Sequence, residues 1–219
     1  MKSYDKFEPF IEANCQTIHE LIRLKGLNIS TFNVLYRHFL SHQISMDNSE
    51  IECSPGCGYC CHLRVTASIP EALIINDFLL KNKQLALYHE QIEASPDFFS
   101  SRTNKNINWW VKNRVPCLFL DKGRQLCRIY EVRPFTCRSY HSLDMELCKK
   151  GYSQKAITAI PCYPDLKRSY EAYSISFERT MKQLDRQSAQ LELSSTVALL
   201  IQNPDLINRW FDGGQIISV

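Results

Sequence analysis

Four cysteines lie within nine residues of this chain, in the stretch CSPGCGYCC at positions 53–61. Their thiolates are soft ligands, and soft ligands select zinc or iron-sulfur clusters among the common cellular metals. The Gly and Pro residues between them allow the backbone to fold tightly around an ion. This stretch, called here the cysteine knuckle, therefore predicts a metal site. Nothing in it indicates a carboxylate site for magnesium or calcium.

Cysteines far downstream are expected to complete the site. They are Cys117, Cys127 and Cys137, with Cys148 as the eighth ligand. Eight thiolates suffice for two four-thiolate sites, or for one cluster and one zinc ion, and two metals is the predicted number. The side chains of Cys60 and Cys61 are expected to diverge, as adjacent side chains do in most backbone conformations and particularly in extended ones. We therefore expect them to bind different metals or different edges of one cluster.

Three arginines follow the downstream cysteines closely, namely Arg128, Arg133 and Arg138. An ion bound by four thiolates carries negative charge, so these side chains are candidates for hydrogen bonds to sulfur and for compensating charge. Ordinary solvation at the surface is the alternative, and recognition of an anionic substrate is the weakest of the three interpretations.

Cys53, Cys57 and Cys60 also have the C-x3-C-x2-C spacing of radical S-adenosylmethionine enzymes. In those enzymes the motif follows the first strand of repeated β/α units. Here two predicted helices precede the motif and no repeated strand-helix pattern follows it, so the sequence disfavours that fold.

Helical periodicity surrounds the knuckle on both sides. It predicts a helix over residues 4–25, stopped by Gly26, and a second from an N-cap at Ser30 to Ile44. An extended segment over 63–67 follows the knuckle. The capping box that starts at Ser68 then opens a helix predicted to run through Leu85 and to cover the site.

The second half of the chain carries further predicted elements. Apolar runs on both sides of Asp121-Lys122-Gly123 predict a hairpin in which Leu120 pairs with Arg124 and Cys117 lies opposite Cys127. A turn or short helix begins at Pro134 and presents Cys137. Apolar residues at helical spacing predict a long helix over 166–184, and a shorter one around 197–201 ends before Pro204. Phe98-Phe99 and Trp109-Trp110 are interpreted as packing anchors, with a ligand or partner surface as the alternative.

Composition limits the remaining possibilities. The 219 residues are 44% hydrophobic, which is enough for one substantial core. A formal net charge of +3, without blocks of Lys and Arg, makes a nucleic-acid partner unlikely on the sequence. The N-terminal residues mix acids and bases and lack the apolar core of a signal peptide, and no apolar run is long enough to span a membrane. We therefore expect a cytoplasmic protein whose ten cysteines stay reduced and bind metal.

The predicted fold class is mainly α with a small β-hairpin, as a single metal-stabilised domain with helices packed around a cysteine cluster. Three segments are expected along the chain. They are an N-terminal helical segment over 1–48, a cysteine-cluster metal-binding domain over 49–150, and C-terminal helices over 151–219 that pack on the same core.

Several motifs together resemble the YkgJ-type CxxCxxCC cysteine-cluster family. They are the knuckle, PCLFL at 116–120, CRIY at 127–130, the Arg133-Pro134-x-x-Cys137-Arg138 segment and Cys148. The resemblance covers roughly residues 53–148 and implies chelation of zinc or iron by eight cysteines. These are Cys53, Cys57, Cys60, Cys61, Cys117, Cys127, Cys137 and Cys148. The usual spacing has two residues between the first two cysteines, whereas here three separate Cys53 from Cys57. Cys162 is the alternative for the eighth position.

The expected function is metal binding, with zinc or an iron-sulfur cluster as the cofactor and no assigned biological process. Resemblance to flagellin lysine N-methylase, a longer relative in the same group, implies the main alternative, protein methylation that depends on a metal and S-adenosylmethionine. The chain has no Gly-rich cofactor loop of the ordinary methyltransferase kind, so no catalytic residues are predicted. A metal carrier or redox sensor is the third possibility.

Overall fold

The chain is mainly helical in the computed structural model, which describes residues 6–42, 49–95, 97–99, 101–102 and 104–217. The α-helices of this described part are α1 (Glu8–Lys25), α2 (Ile29–Ser41), α3 (Ile69–Lys81), α4 (Leu85–Glu93), α5 (Ile107–Asn113), α6 (Phe135–Ser139), α7 (Met145–Gln154), α8 (Pro164–Gln183), α9 (Leu193–Gln202) and α10 (Asp205–Phe211). The strands are β1 (Thr66–Ser68), β2 (Leu120–Asp121), β3 (Leu126–Cys127) and β4 (Gln190–Glu192), and short 3₁₀ helices occupy Tyr59–His62 and Tyr130–Val132. None of the described helices is long and apolar enough to cross a bilayer.

The first two predicted helices form with shifted ends. α1 begins at Glu8 and ends before Gly26, whose φ of 81° suits a residue without a side chain. The predicted N-cap of α2 at Ser30 is wrong. Asn28 caps the helix instead, because its side chain accepts a hydrogen bond from the N–H of Thr31 at 3.0 Å. The predicted end at Ile44 lies outside the described residues.

The capping box is present at the start of α3. Glu71 accepts the backbone N–H of Ser68 at 2.8 Å, and the Ser68 hydroxyl bonds the same carboxylate at 2.6 Å. The prediction of one continuous helix through Leu85 is wrong. Helix α3 ends at Lys81, and Lys83 adopts a left-handed φ of 56°. α4 then starts as a separate helix.

Each of the two small sheets in the described part is an antiparallel pair. β1 pairs with β4, with Thr66 opposite Glu192, and so fixes the chain that leaves the knuckle against the start of α9. β2 and β3 form the predicted hairpin.

The predicted register of that hairpin is wrong, since Leu120 lies opposite Cys127. The Asp121 side chain accepts the N–H groups of Gly123 and Arg124, both at 3.1 Å. Gln125 adopts a left-handed φ of 55°. This turn chemistry lengthens the loop to residues 122–125, so Cys127 pairs with a residue later in the chain than Cys117.

Aromatic side chains dominate the centre of the molecule. Phe39, Phe135, Tyr173 and Phe177 are at most 1% exposed, and ring centroids lie 4.7 Å apart for Phe39 and Tyr173 and 5.2 Å apart for Phe135 and Tyr173. α8 packs against α1 and α6, and α3 packs against α2 and α9. The expected packing of helices around a cysteine cluster is therefore not observed. The helices surround an aromatic core, and Cys117, Cys127 and Cys137 pack against it from outside.

Candidate metal centre

The knuckle begins with a tight turn between its first two cysteines, Cys53 and Cys57. The N–H of Cys57 donates to the carbonyl of Ser54 at 3.0 Å. Pro55 and Gly56 occupy the central positions, and Gly56 has a φ of 92°. A type II turn requires a positive φ at its third residue, and Pro is common at its second. The local sequence therefore fixes the backbone between Cys53 and Cys57.

A 3₁₀ helix carries the next two thiols. The N–H of Cys61 donates to the carbonyl of Gly58 at 3.1 Å, and that of Leu63 donates to the carbonyl of Cys60 at 3.0 Å. The pKa of Cys60 and that of Cys61 both respond to a hydrogen-bonding interaction between the two thiols. This hydrogen bond lowers the pKa of Cys60, with a further contribution from the charge of Arg133, and raises the pKa of Cys61.

The downstream segment is attached to the knuckle through its backbone. The N–H of Cys117 donates to the carbonyl of Cys61 at 2.7 Å, which places the two cysteines beside each other despite the long separation in sequence. Burial raises the pKa of Cys117 to about 12, and the neighbouring thiolate of Cys127 adds to the rise.

Ser194 contacts Cys117 from the first turn of α9. Its hydroxyl lies 3.8 Å from the Cys117 sulfur as a donor and accepts the N–H of Leu118 at 3.2 Å. The hydrogen bond to sulfur opposes the rise in the pKa of Cys117. Sequence reasoning missed this residue, because nothing local distinguishes Ser194 from Ser195 beside it. Only the packing of α9 selects one of the two.

Cys127 and Cys137 are presented by β3 and α6. The position of α6 depends on Glu71, whose second carboxylate oxygen accepts the N–H of Phe135 at 2.7 Å. Burial raises the pKa of both cysteines, and the thiolate charges of Cys117, Cys60 and Cys127 raise that of Cys137 further. These four thiols are therefore electrostatic neighbours.

The remaining predicted ligands are Cys53, Cys57 and Cys148. The knuckle start is tied to α7, since the N–H of Glu52 donates to the carbonyl of Ser142 at 3.0 Å and the Glu52 carboxylate accepts the N–H of Met145 at 2.6 Å. Burial raises the pKa of all three thiols. The charge of Cys60 raises it further in each case, and a hydrogen bond with the Ser142 side chain lowers that of Cys148.

The three arginines differ in their surroundings. The charge of Arg133 lowers the pKa of Cys60, Cys127 and Cys137. Its Nε is buried and has no hydrogen-bond partner within the described ranges of the chain. Arg138 donates to the Tyr36 hydroxyl at 2.9 Å, and its charge lowers the pKa of Cys127. The predicted role of compensating charge fits Arg133 best.

Arg128 is engaged elsewhere, in an ion pair of 3.2 Å with Asp121. Because Asp121 partly neutralises the charge of Arg128, this arginine compensates less of the negative charge of the thiolates.

Two histidines close to the thiols also lie outside the sequence prediction. Both ring nitrogens of His141 are used, because Nδ1 contacts the carbonyl of Ser139 at 3.2 Å and Nε2 accepts the N–H of Tyr163 at 2.8 Å. His62 follows Cys61 directly, and its Nδ1 contacts the carbonyl of Gly58 at 3.1 Å. His141 is therefore a structural residue.

Cys15 and Cys162 lie outside the set. Cys15 is buried in a separate apolar cluster between α1 and α8, where its thiol points to the carbonyl of Ser176 at 3.7 Å. Cys162 is half-buried and precedes α8.

No group of three or more His, Cys, Asp or Glu side chains, within the ranges that the structure covers, is arranged to hold a metal ion. The chemistry of the donor set nevertheless fits zinc or iron. The ligand atoms are free thiols. The Ser194 hydroxyl donates a hydrogen bond to one of them, as the surroundings of a metal-bound thiolate do. The backbone hydrogen bond from Cys117 to Cys61 places the downstream segment beside the knuckle.

Comparison with known proteins gives one match. The CxxCxxCC family model, described as "Putative zinc- or iron-chelating domain", matches residues 52–161, half of the chain. The match includes all eight predicted ligands and stops one residue before Cys162. No curated protein and no solved structure matched the chain.

Proposed function

Because the chain belongs to the CxxCxxCC family of zinc- or iron-chelating domains, we propose that it is a metal-binding protein that holds its metal through clustered cysteines. The metal is zinc or an iron-sulfur centre, since both accept four thiolates. The proposed ligands are Cys53, Cys57, Cys60, Cys61, Cys117, Cys127, Cys137 and Cys148. The observation that carries the proposal is the hydrogen bond from the N–H of Cys117 to the carbonyl of Cys61 at 2.7 Å, which joins the knuckle to the downstream cysteines.

Four of them form an outer group at the knuckle and α7. The pKa of Cys53 is raised by burial and then by the charges of Cys60, Cys57 and Cys148. That of Cys57 responds to burial and then to Cys60 and Cys148. We assign these four thiols to one centre.

The other four form an inner group that joins the knuckle to the hairpin and α6. The pKa of Cys61 is raised by Cys60, by burial and by Cys117 and Cys127, while that of Cys137 responds to burial, Cys117, Cys60 and Cys127. We assign Cys61, Cys117, Cys127 and Cys137 to a second centre. Cys60 and Cys61 then lie at the junction of the two centres.

Ligation by four protein thiolates leaves a zinc ion no open position, so such a centre stabilises the fold rather than activating a substrate. Each thiol must lose its proton on binding, and metal uptake therefore releases protons. Arg133 would hold the developing negative charge beside the inner group, and Ser194 would donate its hydrogen bond to the Cys117 thiolate.

Metal analysis tests the proposal. The wild type and the variants Cys60→Ser and Cys137→Ser are purified anaerobically, and zinc, iron and acid-labile sulfide are measured per chain. Cys15→Ser is the matched control, because its thiol is buried away from the eight ligands. We expect metal in the wild type and in the control, and a clear loss in the other two variants. Full metal content in Cys60→Ser and Cys137→Ser would contradict the ligand assignment.

The same analysis identifies the metal and the eighth ligand. Zinc without sulfide would exclude an iron-sulfur centre, and iron with equimolar sulfide would exclude a pure zinc site. Cys148→Ser is expected to lower the metal content more than Cys162→Ser. The reverse result would move the eighth position to Cys162.

A further inference from the structure

A cavity of about 640 Å³ opens beside Cys117 and lies outside the group of proposed ligands. Its volume falls within the range of small-molecule sites, roughly 300 to 1,000 Å³. The residues of its wall that matter here are Phe98, Arg102, Cys117, Leu120, Lys122 and Arg128. The metal proposal uses Cys117 alone among them, so the cavity needs an explanation of its own.

Arg102 is a buried cation in this wall. It is 8% exposed, and its guanidinium lies 4.0 Å from the centre of the Phe98 ring. Its terminal nitrogens donate to the carbonyl of Phe98 at 2.9 Å, the hydroxyl of Ser101 at 3.0 Å and the carbonyl of Pro116 at 3.0 Å. All three acceptors are neutral, so the hydrogen bonds hold the charge in place without neutralising it.

The donor capacity of Arg102 is not exhausted. A guanidinium has about five N–H donors, and the buried Nε has no hydrogen-bond partner among the residues that the structure describes. A buried charge usually pairs with an acid, because an unpaired one costs free energy. Arg102 makes no ion pair with an acid in the part of the chain that the structure describes. The charges of Glu192 and of the Cys117 thiolate act on Arg102, but neither forms an ion pair with it in the described residues. An anion in the cavity would supply that direct pairing.

Further charges on the wall favour the same sign of ligand. Lys122 lies in the exposed hairpin loop and lines the cavity, as does Arg128, whose charge is partly taken by Asp121 at 3.2 Å. Asp97 is the acid of this wall. The surplus is positive, and Arg102 and Lys122 supply it.

The rest of the wall is apolar. Phe98 and Leu120 are 5% and 6% exposed, and Leu118 and Pro116 lie beside them. An apolar surface next to a fixed cation suits a molecule with an organic body and one anionic group.

We propose that this cavity binds a small organic anion, whose carboxylate or phosphate is held by Arg102 and Lys122 and whose apolar part packs on Leu118 and Leu120. The ligand then lies against Cys117, at the edge of the inner thiol group. The inference does not rest on the proposed metal binding, because none of the groups that hold the ligand belongs to the metal ligands.

Isothermal titration calorimetry with three probes tests the proposal on the purified full chain, with its metal content measured in parallel. Benzoate and phenyl phosphate carry the two anionic groups on the same ring, and benzamide is the neutral counterpart of benzoate. We expect saturable binding of at least one anion, at least about tenfold tighter than binding of benzamide, a difference that corresponds to about 1.4 kcal/mol. The stronger of the two anions identifies the group that the cavity selects.

Two residues of one loop provide a matched pair of variants. Lys122→Gln removes a cation of the wall, whereas Arg124→Gln removes one that is 78% exposed and outside the cavity. We expect Lys122→Gln to weaken anion binding about threefold to tenfold, and Arg124→Gln to change it less than twofold. The reason is that salt and water screen the interaction of the anion with an exposed charge outside the cavity more than its interaction with a charge in the cavity wall. Both substitutions are at the surface and leave metal content unchanged.

Arg102→Gln is expected to abolish binding, and Lys122→Gln still tests the cavity if the buried substitution prevents folding. No saturable binding of either anion below about 10 mM would overturn the proposal, as would benzamide binding as tightly as benzoate. Equal weakening by Lys122→Gln and Arg124→Gln would also overturn it, since it would indicate attraction to the loop charge in general. The anion titrations do not use the cysteine variants, so their results can be interpreted whether or not those variants lose metal. Each proposal can therefore be contradicted without the other.

Discussion

Two regions of the molecule are built from elements of very different length. The helical body uses α1, α2, α3 and α8, which have 18, 13, 13 and 20 residues and bury an aromatic interior. The cysteine region presents its thiols from a 3₁₀ helix of 4 residues, a strand of 2 residues, the 5-residue α6 and the 10-residue α7. Short elements bury little apolar surface, and burial is the main stabilising contribution to a fold.

The difference indicates where each region obtains its stability. The body is stabilised by the burial of its own side chains. The cysteine region is positioned by a few hydrogen bonds, such as that from Cys117 to Cys61, and by Phe135, which reaches from α6 into the aromatic core. Metal ligation would supply what packing does not, because structural metal sites contribute directly to folding free energy.

Metal removal is expected to have the largest effect on the difference in stability between the two regions. After a strong chelator and proven metal loss, we expect fast amide hydrogen exchange in the cysteine region and retained protection in α8. The expected loss of stability is about 5 kcal/mol or more, which lowers the melting temperature by about 10 °C or more in a chain of this size. Hydrogen exchange with mass spectrometry and calorimetry measure both. Equal exchange in the two regions, or an unchanged melt, would contradict a structural metal.

Substitution of Phe135 tests the mechanical link between the regions. Phe135→Ala is expected to cost about 3 to 5 kcal/mol, because the side chain is fully buried, and to lower metal content by releasing α6 and Cys137. Phe177→Ala, in α8, is the control, with a similar cost and normal metal content. Urea denaturation and metal analysis of both variants give the answer. Equal metal content in the two variants would show that the packing of α6 on the core does not affect metal binding.

Glu71→Gln perturbs the same link through hydrogen bonds. One carboxylate oxygen accepts from Ser68 and from the Ser174 hydroxyl at 2.8 Å, and the other accepts the N–H of Phe135 at 2.7 Å. An amide nitrogen cannot accept, so one donor loses its partner at a cost of about 1 to 3 kcal/mol. The exposed Glu90→Gln should stay within about 0.5 kcal/mol. Chemical denaturation compares the two, and equal stabilities would mean that the buried carboxylate is dispensable.

The smallest expected effect lies in the helical body alone, at the ion pair between Glu8 and Arg179 that joins α1 to α8. The hydrogen bond from Arg179 lowers the pKa of Glu8 below its usual 4.5. A lowered folded-state pKa gives stability that is present above the unfolded-state value and is lost as pH falls through the folded-state value. Glu8→Gln should therefore reduce the melting temperature slightly at about pH 7, with a deficit that shrinks as pH falls below about 4. Melting curves at several pH values measure it, and a deficit independent of pH would refute the assignment.

Local chemistry made much of the fold predictable from the sequence. Helical periodicity gave the long helices, and the Ser68 to Glu71 spacing gave the capping box. The cysteine motifs predicted the family. These features depend on hydrogen bonds and side-chain patterns within a few residues, so the amino acids alone determine them.

Tertiary structure decided the features that depend on distant contacts. The contact of Ser194 with Cys117 joins residues 77 positions apart. The hairpin register is a local exception, because the Asp121 turn sets it and the apolar pattern does not reveal it. The neighbourhood of Cys60, and the placing of Arg102 in a cavity wall, depend on segments separated by many residues. Their relative positions are set by burial in a common core, which is non-directional and leaves no local signature in the sequence.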